Sequence, residues 1–170
     1  YEDYTAGVDK AILTINNETR EINISNITEQ KITVTDDNGE NLDVTMNASI
    51  ENNEITITLT IENSELTSVP VEKRWVDGND ENNLRPDSIN VELKYKKDGN
   101  FVKYEKDGVE NPVTLNSNNN WKYTWEKLPK NINGKVAEYT VEETLVPSGY
   151  TVNTTTEGDV IVLTNNHTVT

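Results

Sequence analysis

The chain has 170 residues, a formal net charge of −15, no cysteine and 33% hydrophobic residues. That length fits one or two domains, and the acidity argues against nucleic acid or an anionic membrane as partner. Without cysteine there is no disulfide, thiolate zinc site or cysteine nucleophile, and His167, the single histidine, is too little for a histidine triad or metal cluster.

No apolar run approaches the roughly 18 residues of a membrane span. The ends show neither a signal peptide nor a hydrophobic tail, so the chain is expected to be a segment of a longer protein, monomeric as a fragment. Its apolar residues recur in period two, and its polar excess is mostly Asn and Thr rather than charge blocks, which reads as order rather than disorder.

Strand and turn patterns follow one another from the start. Lys10 lies near the first strand, in register with Ile12. Asp37-Asn38-Gly39 reads as a turn, because Asn and Gly accept the positive φ of tight hairpins. Leu42, Val44, Met46, Ala48 and Ile50 alternate with polar residues. Glu51-Asn52-Asn53-Glu54 reads as a second turn, and Ile55, Ile57, Leu59 and Ile61 then alternate with threonines as a half-buried strand. No stretch of ten residues shows a helical period, so the fold class is all-β.

The composition changes near residue 68. All three tryptophans, the single phenylalanine and all five prolines lie beyond it, and the net charge is −11 before residue 69 and −4 from there on. Two domains are therefore expected, 1–67 and 68–170, with the boundary in the polar stretch Ser64–Ser68. The first, with little aromatic material to bury, is marginal by itself, which suggests the end of a larger domain.

Strand parity singles out three residues of the second domain. In Val69-Pro70-Val71-Glu72-Lys73-Arg74-Trp75, Lys73 shares the face of Val69, Val71 and Trp75, while Glu72 and Arg74 point away. A lysine on a core face is costly unless it is paired, neutral or consumed by chemistry, the ordinary alternative being an ammonium that snorkels to water. In Tyr139-Thr140-Val141-Glu142-Glu143-Thr144-Leu145, Glu143 shares the face of Tyr139, Val141 and Leu145. In Ile161-Val162-Leu163-Thr164-Asn165, Asn165 follows Ile161 and Leu163, although Val160 and Val162 make the other face apolar as well. A base, an acid and an amide thus sit on inward faces of three strands.

These segments carry a resemblance. Val71-Glu72-Lys73-Arg74-Trp75, Arg85-Pro86-Asp87-Ser88-Ile89-Asn90-Val91-Glu92-Leu93, Trp121-Lys122-Tyr123-Thr124-Trp125 and Leu128-Pro129-Lys130 resemble the B-type repeat of collagen-binding adhesins. Tyr139 to Tyr150 resembles the E-box of Gram-positive pilins, and Leu163-Thr164-Asn165-Asn166 the family's final strand. The resemblance spans about residues 69–168 and does not reach the first domain.

It implies an immunoglobulin-like β-sandwich, preceded here by a second small β-sandwich-like domain, with a self-formed isopeptide bond. By position, Lys73 would be the amine and Asn165 the acceptor, with Glu143 as the assisting acid; Asn166 is disfavoured as acceptor by parity. Lys73 would have to be neutral and Glu143 protonated, both favoured by burial, with folding supplying proximity. The event occurs once per molecule, so no turnover enzyme is implied, and no cofactor. The resemblance places the chain on the surface of a Gram-positive cell wall, as a stalk segment between neighbouring domains of a parent adhesin or pilus subunit. Through that parent it could meet a host extracellular-matrix protein. The alternative is a ligand-binding module in which residues 1–67 make that contact.

Smaller signals accompany these. Asp77-Gly78-Asn79-Asp80-Glu81-Asn82-Asn83 is dense in oxygen ligands but lacks the EF-hand spacing, so it reads as a solvated loop rather than a calcium site, and no metal is expected. Asn-x-Ser/Thr triplets such as Asn26-Ile27-Thr28 are expected by chance in this composition. Trp75, Trp121 and Trp125 read as packing rather than a sugar platform. A second crosslink, Lys10 with Asn63, has suitable parity but no clearly inward acid; Asp36 and Glu40 flank a turn.

Overall fold

Alternating apolar residues separated by Asn-, Asp- and Gly-rich turns give strands nearly everywhere. The structure, a computed structural model, describes residues 10–15, 18–23, 29–51 and 54–168; the Asn26 triplet and the tip of the 51–54 turn lie outside them. The described residues form fifteen strands and one short 3-10 turn. By chain contacts they fall into two units, the first running to Glu65 and including Pro129–Val136, the second holding Leu66–Leu128 and the chain from Ala137 on. The composition suggests one cut, near residue 67. A single cut, however, has no way to express that 129–136 leaves the second unit and returns to it.

In the first unit, β1 (Lys10–Ile15) pairs antiparallel with β2 (Glu18–Asn23). A separate meander joins β3 (Gln30–Thr35), β4 (Asn41–Glu51) and β5 (Glu54–Asn63) in that order. The β3–β4 turn is closed by Asp36, whose Oδ1 accepts from the backbone N–H groups of Asn38 and Glu40, and Gly39 takes φ +81°. Val34, Val44 and Met46 are buried, yet Ile57, Leu59 and Ile61 are 47, 41 and 51% exposed. The alternation identified the strand correctly but not its cover: β5 is the outer strand of its sheet, and its apolar row stands half open.

The second unit is a sandwich. One sheet has the order β10 (Lys122–Pro129), β6 (Leu66–Val76), β15 (Val160–Asn166), β14 (Thr151–Glu157), with β6 and β15 parallel. Facing it, β7 (Ser88–Lys97) has β13 (Tyr139–Glu143) on one side and β8 (Asn100–Lys103) and β9 (Val113–Asn116) in succession on the other. The hairpin of β11 (Asn131–Ile132) and β12 (Lys135–Val136) belongs to the first unit. There Asn133 exchanges two hydrogen bonds of 2.9 Å with Thr33, one accepted by its Oδ1 and one donated by its N–H.

The core of the sandwich comes from inward rows: Val69 and Val71 of β6, Ile161 and Leu163 of β15, Trp125 and Leu128 of β10, against Ile89, Val91 and Leu93 of β7, Val113 and Leu115 of β9 and Val141 of β13. Where β8 and β9 leave Leu93 without a strand partner, the Asn111 side chain stands in. Its Oδ1 accepts from the Leu93 N–H at 2.8 Å, and its Nδ2 donates to the carbonyls of Leu93 and Tyr104. One expected core residue fails. Leu145 is 79% exposed, because β13 ends at Glu143 and parity has no meaning past a strand's last residue.

Leu93 is fully buried, so Leu93→Ala should lower stability by about 2–5 kcal/mol through lost transfer energy and the cavity left behind. Leu145→Ala should change it by less than about 0.5 kcal/mol. Urea titration of both variants beside the wild type checks the pair.

Candidate functional site

The parallel register of β6 and β15 sets Lys73 opposite Leu163 and Asn165 opposite Trp75, so Lys73 and Asn165 are diagonal neighbours on one inward face. Glu143 enters from the facing sheet, at the last position of β13, opposite Val91. Lys73 is 4% exposed and Asn165 is completely buried, while Glu143 is half-buried. The three residues that parity marked as inward therefore reach one end of the sandwich from three strands. Their outward neighbours do as parity expects: Arg74 forks onto Glu157 at 2.7 and 2.8 Å, and Glu142 pairs with Lys94.

The hydrogen bonds at this site are incomplete in an informative way. Asn165 Nδ2 donates to Glu143 Oε1 at 3.0 Å, but among the described residues the buried Asn165 Oδ1 and Glu143 Oε2 have no hydrogen-bond partner. Buried oxygens are rarely left so. Both are acceptors while Glu143 is ionised, so they cannot serve each other. One proton on Oε2 supplies the missing donor, and acid and amide then form the reciprocal pair, Nδ2–H to Oε1 and Oε2–H to Oδ1. Burial also pushes the Glu143 carboxyl above its ordinary range, against the opposing pull of Lys73 and of the Asn165 hydrogen bond.

Lys73 is drawn the other way. Burial pushes its amine down to about 8, against the attraction of Glu143 and Asp77, and Arg85 adds to the fall. Its Nζ donates to the carbonyls of Arg74 at 3.0 Å and Leu163 at 3.4 Å, and lies 4.1 Å from the centre of the Trp75 ring. A neutral amine has two N–H groups for two carbonyls and keeps its lone pair free. Burial thus moves the amine and the acid each toward its uncharged form, with an amide carbonyl buried beside them.

Next to it lies a cluster that the sequence reading missed. Asp77, 2% exposed, accepts from Arg85 through both oxygens, at 2.6 and 3.0 Å, and from the Tyr150 hydroxyl at 2.9 Å. Arg85 holds its carboxyl down at about 2. Arg85 also lies 5.5 Å from the Trp75 ring centre, and Tyr150 and Trp121 meet that ring edge-on. Continuing the Lys73–Trp75 parity by one step lands on Asp77, so the signal was present, hidden by the turn formers that follow it. The 77–83 loop is therefore not simply solvated. Its first carboxylate is buried and already engaged by an arginine, and among the described residues no three His, Asp or Glu side chains gather as a metal site.

Of the other candidate pair, only Asn63 is described with its side chain. Lys10 opens β1, and its side chain lies outside the described residues; Asn63 ends β5, opposite Leu42, and is exposed. Asn166, the rejected acceptor, turns its Nδ2 to the Thr164 carbonyl at 3.3 Å.

Comparison with known proteins gives consistent findings. Residues 69–166 match the family described as Cna protein B-type domain. A collagen adhesin of Staphylococcus aureus is 38% identical over 104 residues, which cover 60% of this chain and only 8% of that protein. The crystal structure of a single B repeat unit (B1) of the collagen-binding surface protein of Staphylococcus aureus matches with a TM-score of 0.52 at 28% identity, over 90% of this chain and 76% of that one. A two-repeat structure, B1B2, of the same protein matches with a TM-score of 0.51 at 21% identity, over 95% of this chain and 56% of that one, a likeness of fold.

The depressed Lys73 amine gives the folded state a pH dependence that an Asn165→Ala chain should show. Between about pH 8 and 10.5 the unfolded chain binds the proton that the folded chain has lost, so stability rises with pH across that window. Lys73→Met in the same background should flatten the rise. Denaturant midpoints at pH 7.5, 8.5 and 9.5 measure the difference between the two variants.

Proposed function

The chain belongs to the family of Cna B-type domains, structural β-sandwich modules of surface adhesins, and on that premise we propose that it is a stalk segment carrying an isopeptide bond between Lys73 and Asn165. The observation that carries this reading is the buried set of Lys73, Asn165 and Glu143, with the orphaned amide oxygen and the orphaned acid oxygen on one side chain each.

The step balances within the site. The Lys73 lone pair attacks Asn165 Cγ, and the proton on Glu143 Oε2, hydrogen-bonded to Oδ1, polarises the carbonyl and steadies the negative charge that develops on it. A C–N bond forms between Cγ and Nζ. Glu143 relays one Nζ proton to Nδ2, the Cγ–Nδ2 bond breaks, and ammonia leaves. Glu143 ends as it began, and no oxidant or other co-reactant is used. Folding supplies the proximity, because parallel pairing of β6 and β15 fixes nucleophile and electrophile on one face.

The bond would join the first and last strands of the second unit, 92 positions apart in the chain. Those strands are neighbours and parallel, so tension applied at the two ends of the unit runs along both and shears them against each other. A covalent link between Lys73 and Asn165 carries that load past the intervening residues. It needs no thiol, which suits a chain without cysteine. As part of an extracellular adhesin of a Gram-positive cell wall, the segment would work as a spacer. Contact with a matrix protein such as collagen would belong to the parent chain.

Intact mass spectrometry of the purified chain tests this. The expected result is a mass short by one ammonia, with the full calculated mass for Lys73→Ala and Glu143→Ala; an uncrosslinked wild type would overturn the reading. One ammonia, not two, is expected because Asn63 is exposed. By analogy with a disulfide closing a loop of similar length, the crosslinked chain should exceed the Glu143→Gln chain in stability by about 4–5 kcal/mol. Guanidinium unfolding of the two reads that difference.

A second reading has one observation in its favour, the half-open apolar row Ile57, Leu59 and Ile61. If the first unit is adhesive, the whole chain binds immobilised collagen, and Ile57→Ser with Ile61→Ser abolishes the binding.

A further inference from the structure

Among the described residues, the charged groups that act on Lys73 are Glu143 from β13 and, from the loop that follows β6, Asp77 and Arg85. From β15 it meets the Leu163 carbonyl, with the neutral Asn165 on the same inward face. Glu143 serves the reaction when protonated. Asp77 is ionised, buried and close enough to favour an ammonium at Lys73, the form that cannot attack. Arg85 grips both oxygens of Asp77 and shares the Trp75 ring with Lys73, at 5.5 and 4.1 Å from its centre. Of these two cations only the lysine can give up its proton, since a guanidinium stays charged in proteins.

We propose that the Asp77–Arg85 pair is a positioning element for the crosslinking reaction: Arg85 grips both oxygens of Asp77 and shares the Trp75 wall with Lys73, so that the buried aspartate is engaged by the arginine rather than by the Lys73 amine. This rests on the isopeptide reading. Neither residue touches the reacting atoms. Both act through the charge of Lys73, with Trp75 as the shared wall and Tyr150 holding Asp77 in place at 2.9 Å.

The two members of the pair must therefore have opposite effects. Asp77→Asn keeps the shape and removes the anion, leaving Arg85 to repel the ammonium, so the reaction should extend to lower pH. Arg85→Gln leaves Asp77 as an unpaired anion and should confine the reaction to higher pH. The double variant, Asp77→Asn with Arg85→Gln, should fall back toward the wild type. A merely structural ion pair would give the same sign for both single variants, slower at every pH.

The experiment uses the full chain, made by cell-free translation at pH 6, shifted to a series of pH values, quenched in acid and weighed intact over time. The pH of half-maximal rate should move down by about one unit in Asp77→Asn and up by about one unit in Arg85→Gln. Unmoved midpoints, or shifts of one sign, overturn the proposal while the wild type still loses ammonia. A wild type that keeps its full mass at every pH overturns instead the isopeptide reading beneath it. Should Arg85→Gln fail to fold, Asp77→Asn decides through a measurement that needs no reaction. In an Asn165→Ala background, the NMR titration of the Lys73 13Cε should move down by about one unit when Asp77→Asn is added, and an unmoved titration refutes the inference.

Discussion

The second unit depends on an unusual economy of hydrogen bonds at one end of its core. A lysine, a glutamic acid and an asparagine have been taken out of water there, and between them they hold one oxygen too many on each side of an amide–acid contact. Such a site is expensive if its groups stay charged, because buried charge is tolerated only when fully paired. It becomes cheap if one proton sits on Glu143 and none of the excess stays on Lys73. The same distribution of protons that relieves the burial cost is the one that makes an amine nucleophilic and a carbonyl electrophilic. On the proposed reading, stability and reactivity are set by this one physical requirement.

Much of this was legible because β-strands alternate with a period of two. Once Val69, Val71 and Trp75 are placed inside, Lys73 has no choice of face, and the same holds for Glu143 beside Val141 and Asn165 beside Leu163. What alternation does not encode is where a strand stops and what lies above it. Leu145 continues the inward parity of Tyr139 and Val141, but the strand ends at Glu143 and the side chain is exposed. Ile57, Leu59 and Ile61 alternate cleanly yet lie on an outer strand with their row half open. Asp77 follows the parity of Lys73 and Trp75, but Asp-Gly-Asn-Asp spells a turn, and turn residues are ordinarily solvated. The place of residues 129–136 with the first unit was beyond reach, since short excursions leave no periodic trace.

The low apolar content of the chain also finds its explanation in packing rather than in any special residue. The core of the sandwich is one cluster in which Trp125 and Leu128 join rows of valine, isoleucine and leucine. Polar side chains take over structural roles that larger proteins give to strands. Asn111 completes the ladder at Leu93, and the Asn116 and Asn119 side chains close the 3-10 turn by pairing with each other's backbone. An asparagine-rich composition is here a source of directed hydrogen bonds.

Lys73 and Glu143 can be neutral or charged with the same total number of protons, so the choice between an ion pair and a reactive pair is a transfer inside the site. Low polarity favours the neutral arrangement, and the orphaned Asn165 oxygen favours it again, because only a protonated acid gives that oxygen a donor. The permanent charges of Asp77 and Arg85 then act as a bias on the transfer rather than as participants. An aspartate alone would hold the proton on the lysine, whereas the aspartate clamped by an arginine presents Lys73 with a nearly cancelled field. On that proposal, a part-buried ion pair is worth keeping beside the site even where apolar residues would pack at lower cost. Its contribution is to the charge state of its neighbour, and an apolar replacement of equal volume could not supply it.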